Sequence, residues 1–248
     1  MAKALITGAS SGIGASIAQV LSEKGYDTIL VARRTDRLKQ LAQTLKTESE
    51  VVTADLSDMA QLEALIKNHP DIDILVNNAG FGVYGEFCSS DFDKENQMID
   101  VNIRALHFLM KKYIPLMAET GGKILNVASS AAFFSGPLLS SYYASKAYVL
   151  RLSNAVREEI RRKKIPVSIT VLCPGPVETE FGEVSGSNLG KKTISARIAA
   201  EKAVKGMLKG KKTVVPELTM KATRILSKIL PECISVRIVY NLQNAKRR

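Results

Sequence analysis

The sequence predicts an α/β protein, a doubly wound parallel sheet of seven strands with helices on both faces, built as a single domain. Three observations predict it. Short apolar runs alternate with amphipathic stretches along most of the 248 residues, without a linker, an internal repeat or a low-complexity tract. A glycine-rich turn separates the first run from the first helical stretch, and residues able to do chemistry follow the strands one after another.

The runs at 3–7 (KALIT), 27–31 (DTILV), 50–54 (EVVTA), 72–76 (IDILV), 122–127 (GKILNV), 167–172 (VSITVL) and 213–216 (TVVP) suit strands buried on both faces. Helical patterns lie between them at 12–24, 36–46, 57–67, 95–118, 141–164 and 195–209. Every crossover is long enough for a right-handed βαβ unit, which makes the sheet parallel. Ligands then bind beyond the carboxyl ends of the strands, where Gly8, Arg33, Asp55, Asn77, Ser129 and Pro174 follow the first six runs.

The turn reads TGASSGIG at 7–14. Gly8 makes the sharp bend, Gly12 lets backbone approach a pyrophosphate, and Gly14 permits close helix packing, with the helix N-terminus towards the phosphates. At the end of the second run, ILVARRTD, a carboxylate would serve an NAD ribose. Ala32 stands there instead and Arg33 follows, a pattern that favours NADPH over NADH. Arg34 either shares the 2′-phosphate or is a solvated helix-start residue, and Asp36 is a candidate N-cap for the next helix.

Tyr142 and Lys146 lie four residues apart in SYYASKAY, following Ser129 by thirteen and seventeen residues. On a helix this spacing puts the phenol and the ammonium on one face. The positive charge is expected to lower the phenol pKa towards neutrality, making an acid/base, while Ser129 offers a hydroxyl to a substrate oxygen. Tyr143 is the rival phenol, and Tyr148 is expected to pack.

Taken together, TGASSGIG, Asp55 in TADLSD, NNAG at 77–80, Asn102 in DVNIRA, Ser129, the YxASK pattern at 142–146 and PGPVET at 174–179 resemble the short-chain dehydrogenases/reductases over residues 3 to about 217. The resemblance implies a Rossmann-type fold and hydride transfer between NADPH and a carbonyl or secondary alcohol. Tyr142 would be the acid/base, and Lys146 would tune it and bind the nicotinamide ribose. Ser129 would hold the substrate oxygen, and Asn102 would position a water in a proton relay through Lys146. Asp55 would contact the adenine. Gly8, Ser10, Ser11, Gly12, Ile13, Gly14, Arg33, Leu56, Asn77, Asn78, Ala79 and Gly80 would line the cofactor, and Pro174, Gly175, Val177 and Thr179 would hold its nicotinamide end. A dinucleotide sensor or scaffold on the same fold is the alternative, disfavoured because all four catalytic positions are filled.

The formal charge of +11 comes from 35 basic against 24 acidic residues. Its clusters at 161–164, 191–192, 209–212 and 246–248 have little aromatic interleaving, as solvated helix ends do, so no nucleic-acid partner is expected. Cys88, Cys173 and Cys233 are scattered and expected to be reduced; with His69 and His107 they form no metal-ligand spacing, so no metal is expected. The first strand begins at once, leaving no signal-peptide pattern, and no apolar stretch approaches bilayer length; a cytoplasmic protein is expected.

Substrate choice falls to 81–87, 132–139 and 178–192. Phe81, Tyr84, Phe87, Phe133 and Phe134 point to an apolar ketone or aldehyde if they are not core, and SGSNLGKK at 185–192 suits a mobile lid. Residues 218–248 depart from the compact end of bacterial 3-oxoacyl reductases of this family. Leu218, Ala222, Ile225, Leu226 and Ile229 form an amphipathic stripe that Pro231 interrupts, amid basic residues. Packing on the domain or a second subunit is favoured over peripheral contact with an anionic membrane, and a homodimer is at least as expected as a homotetramer.

Overall fold

Seven strands form one parallel sheet in the order β3-β2-β1-β4-β5-β6-β9 in a computed structural model that describes residues 2–186 and 193–245. They are β1 Lys3–Thr7, β2 Asp27–Ala32, β3 Ser49–Thr53, β4 Ile74–Asn77, β5 Gly122–Val127, β6 Val167–Leu172 and β9 Thr213–Val214; β7 Val177–Glu178 and β8 Ile194–Ser195 pair separately. Neighbouring β1 and β4 pair parallel, Ala4 opposite Ile74, and the winding reverses between them. The ligand crevice of a doubly wound sheet opens at that reversal.

Alternation along the strands feeds two cores. Leu5, Leu75 and Ile124 face one layer, where they meet α3 Met59–Asn68, α5 Leu106–Leu116 and α6 Ser140–Arg162. Ile6, Val76 and Leu125 face the other, formed with α1 Gly12–Ser22, α2 Thr35–Thr44 and α8 Ala196–Leu208. Burial on both sides explains why the strands read as unbroken apolar runs.

The structure differs from the sequence reading in three places. The stretch expected as one helix at 95–118 is α4 Phe92–Ile99, a π-helical segment Asp100–Ala105 and α5, and the wider winding surrounds Asn102. Asp36 lies in the first turn of α2, which has no side-chain cap. After β9, residues of the C-terminal segment form α9 Leu218–Leu226 and α10 Glu232–Asn244, and a short α7 Phe181–Ser185 follows β7. The inner stripe of α10, Ser235, Val239 and Gln243, is buried, whereas the apolar stripe of α9 is not. Among the described residues no helix is long and apolar enough to cross a membrane. Residues 187–192 of the expected lid, with the basic pair at 191–192, and the basic end at 246–248 lie outside the described residues.

Candidate active site

At the end of β1 the chain bends through Gly8, whose φ is +65° and whose amide donates to the Val31 carbonyl at 2.8 Å. A Cβ there would lie 2.8 Å from Ala79 Cα, so only glycine lets NNAG pack against the turn. Asn78 holds that contact: its Nδ2 donates to the carbonyls of Thr7 (2.9 Å) and Gly8 (3.1 Å). Thr7 Oγ1 in turn accepts from the amides of Asn78 and Ala79. Gly14 packs against the same Asn78 amide and Gly8 carbonyl.

The first turn of α1 has neither a side-chain cap nor an acidic residue, unlike α3 and α4, whose amides are capped by Asp58 and Asp91. Its free N–H groups and positive dipole end face the cleft at Ser11, Gly12 and Ile13. This is the environment a pyrophosphate requires, so the residues present fit a dinucleotide.

The two arginines after β2 divide differently from the sequence reading. Arg33 points largely into solvent, 3.9 Å from Asp55 Oδ2, although both it and Arg34 line the cleft. Arg34 lies across the glycine turn, donating to Ser10 Oγ and, at 2.8 Å, to Ser11 Oγ. Its Nη1 pairs with Glu180 at 2.7 Å, and Arg37 pairs with the other oxygen of the same carboxylate. Hydrogen bonds from Arg37 and Arg34 hold the Glu180 carboxyl down at about 2. A clasp thus joins the α2 start to the segment after β7, a link invisible in sequence because Glu180 is 146 residues from Arg34.

At the other end of the cleft, α6 buries Tyr142 and Lys146 on one face, as their spacing predicts. Ser129, at the end of β5, shares a hydrogen bond with the Tyr142 hydroxyl and accepts the Ala131 amide at 3.1 Å. Tyr143 also lines the cleft, but its hydroxyl accepts from Gln243 Nε2 at 2.6 Å. Phe181 packs on the Tyr142 ring with centroids 5.0 Å apart. One cavity of about 920 Å³ runs from Gly8 past Leu56, Ala79 and Gly80 to Tyr142. Pro174, Gly175, Val177 and Thr179 form its far wall.

Several expectations change. Burial raises the Tyr142 pKa above its ordinary value, and the Ser129 hydrogen bond only partly opposes this. Lys146 does not lower it: the ammonium donates to the Val127 carbonyl at 3.0 Å and sits 5.8 Å from the phenol ring centre. The Asn102 side chain accepts from Phe81 N (3.1 Å) and donates to Phe81 O (2.9 Å) and Ser145 Oγ (3.0 Å). It therefore ties the 81–87 loop to α6. Asn77 points into the sheet, where its Nδ2 donates to Asn126 Oδ1 at 2.8 Å, and Asp55 accepts from Ser57 N and Oγ; neither lines the cavity. Phe87 is exposed and Phe133 packs against the core, so neither they nor Phe134 line it; Phe81, Tyr84, Phe181 and Leu139 do. Tyr148 shares a hydrogen bond with His107 at 2.6 Å instead of only packing.

Burial also lowers the Lys146 pKa from 10.5 to about 8. Between pH 8 and 9 the unfolded chain therefore holds the extra proton, and stability rises with pH. Above that window the buried Cys173 thiol, pushed up to about 12, acts in the opposite sense, because the native state then holds the proton. Urea unfolding at pH 8 and pH 9 is expected to show wild type gaining about 1 kcal/mol relative to Lys146→Met, since a full proton over one pH unit amounts to about 1.4 kcal/mol. Equal pH dependence of the two proteins would contradict the buried ammonium.

Gln243 was not among the expected site residues, whereas Tyr84 was expected at the substrate end. The Tyr84 hydroxyl donates to the Gln243 carbonyl at 2.9 Å, and both residues line the cavity. The i, i+4, i+8 spacing of Ser235, Val239 and Gln243 marks an inward stripe, but nothing in it names the wall it reaches.

The family model described as short chain dehydrogenase matches residues 2–189. An uncharacterized oxidoreductase of Staphylococcus epidermidis is 34% identical over 224 residues, covering 88% of this chain and 96% of the relative. Among solved structures, a short-chain dehydrogenase from Sphingobium yanoikuyae in complex with NADPH is 29% identical with a TM-score of 0.82, covering 94% of this chain and 97% of the other. One from Burkholderia phymatum in complex with NAD has the same TM-score of 0.82 at 24% identity, a likeness of fold, over 91% of this chain and 92% of that one.

Proposed function

Because the chain belongs to the short-chain dehydrogenase family, we propose that this oxidoreductase uses NADPH to reduce the carbonyl of an apolar ketone or aldehyde, with Tyr142 as acid/base. The observation that carries the proposal is the cleft itself. It joins an uncapped helix N-terminus and Arg34 at one end to Ser129, Tyr142 and Lys146 at the other.

The turn at 8–13, Leu56, Ala79, Gly80, Lys146 and the wall at 174–179 would hold the dinucleotide, which supplies the hydride when bound. Tyr142 keeps its proton at neutral pH because burial raises its pKa, which suits it to donate that proton to the substrate oxygen. Ser129, already within hydrogen-bond reach of the phenol, orients the same oxygen. Lys146, losing its proton near pH 8, is matched to restock the phenol at neutral pH. Phe81, Phe181 and Leu139 give the substrate end its apolar character.

Reduction is expected to be level from pH 6 to 7.5 and to fall above about 8 as Lys146 loses its ammonium, whereas alcohol oxidation, which needs a phenolate, climbs over the same range. Initial rates in both directions check this, and level profiles to pH 10 would remove Lys146 from the proton path. Loss of NADPH absorbance with a panel of ketones, aldehydes, 3-oxoacyl thioesters and hydroxysteroids tests the proposal as a whole. NADPH binding without turnover on any of them would favour a sensor instead.

A further inference from the structure

The α9–α10 segment carries apolar residues that the other described residues leave uncovered. Leu218, Ile225 and Ile229 are 78%, 63% and 75% exposed. On α10, Ile234, Ile238 and Leu242 repeat at i, i+4 and i+8 and are also exposed, on a different stripe from the buried Ser235, Val239 and Gln243. Isolated exposed apolar residues are ordinary, but six of them along two consecutive helices and the turn between mark a contact surface.

The charges around it identify the partner. Lys221, Lys228 and Arg237 are exposed there. The only carboxylates between 217 and 245 are Glu217 and Glu232, and both turn back to the domain. Glu217 accepts the Gly175 amide at 3.0 Å, and Glu232 accepts from Ser135 Oγ at 2.8 Å. The outward face is therefore apolar and cationic, with no outward acid to complement a second copy of itself. A two-fold pairing through this patch would set lysine and arginine against lysine and arginine.

We propose that α9 and α10 form a docking surface for an anionic bilayer, the apolar stripes entering the headgroup boundary and the three cations meeting lipid phosphates and carboxylates. The contact is peripheral, and it stands independently of the reaction assigned to the cleft.

Flotation of the full chain with vesicles tests it. At low salt, wild type is expected to float with phosphatidylcholine/phosphatidylserine vesicles and to bind pure phosphatidylcholine about tenfold less. The double variants Ile225→Asp/Ile229→Asp and Lys221→Glu/Lys228→Glu are each expected to lose about tenfold of the anionic binding while keeping wild-type circular dichroism and NADPH affinity. Should the aspartates impair folding, the exposed charge-reversal pair decides alone. Wild type remaining at the bottom of the gradient, equal binding to neutral vesicles, or flotation unchanged in the charge-reversal variant would overturn the proposal. So would a wild-type dimer in light scattering that Ile225→Asp/Ile229→Asp converts to monomer without any vesicle binding, which would assign the face to a second copy.

Discussion

Tyr142→Phe is expected to reduce NADPH-dependent carbonyl reduction by about three to four orders of magnitude, with NADPH affinity nearly unchanged, because general acid catalysis contributes roughly 10²–10⁴-fold and Ser129 loses its partner as well. The substitution removes one oxygen and leaves the ring on Phe181, so packing is preserved. Tyr143→Phe is the matched control. It loses the bond from Gln243 but nothing at Ser129, and is expected to retain turnover within about tenfold, the scale of one neutral hydrogen bond. Steady-state rates for both variants decide between the phenols. A Tyr142→Phe enzyme with near-normal kcat would sink the assignment, and the reverse pattern would transfer it to Tyr143.

The second large effect concerns cofactor choice. Arg34→Ala is expected to raise the KM for NADPH about 10- to 100-fold and to leave that for NADH nearly unchanged, since hydrogen bonds to a charged group contribute about 1.5–3 kcal/mol. Arg34 is favoured over Arg33 because it already lies on Ser10 and Ser11 at the glycine turn, whereas the Arg33 side chain is 60% exposed. Arg33→Ala is expected to give a smaller loss in the same direction. Kinetics with both dinucleotides give the answer; a wild type that prefers NADH, or an Arg34→Ala enzyme with unaltered NADPH KM, would refute the charge argument built on Ala32 and the two arginines.

Legibility in the sequence followed the range of the interactions. Strand runs could be read because a strand buried on both faces must be apolar throughout, and the glycine turn because its φ and its close contact with Ala79 restrict position 8. The Tyr142 and Lys146 pairing is a consequence of helix geometry within four residues. Beyond that range the reading failed where burial or direction decided. Charge proximity alone implied a lowered Tyr142 pKa, yet desolvation acts more strongly and Lys146 is aimed at Val127. Asn77 and Asn78 are neighbours in a motif, but strand alternation sends the first into the sheet and the second to the turn. Asn102 was recognisable as important, while its π-helical setting and its hold on Phe81 depend on a loop twenty-one residues away. Gln243 meets Tyr143 from one hundred residues further on, with no local pattern to announce it.

Because α10 forms part of the cleft wall, the pocket is completed by a helix that follows the whole sheet and the catalytic cluster in the chain. The sheet and the Ser129, Tyr142 and Lys146 cluster all precede it, so an emerging chain can assemble the glycine-turn end of the cleft while the end at Gln243 is still open. A message cut short before the codon for Gln243 is expected to yield a protein that keeps its glycine turn and its Ser129, Tyr142 and Lys146 cluster around an unfinished chamber.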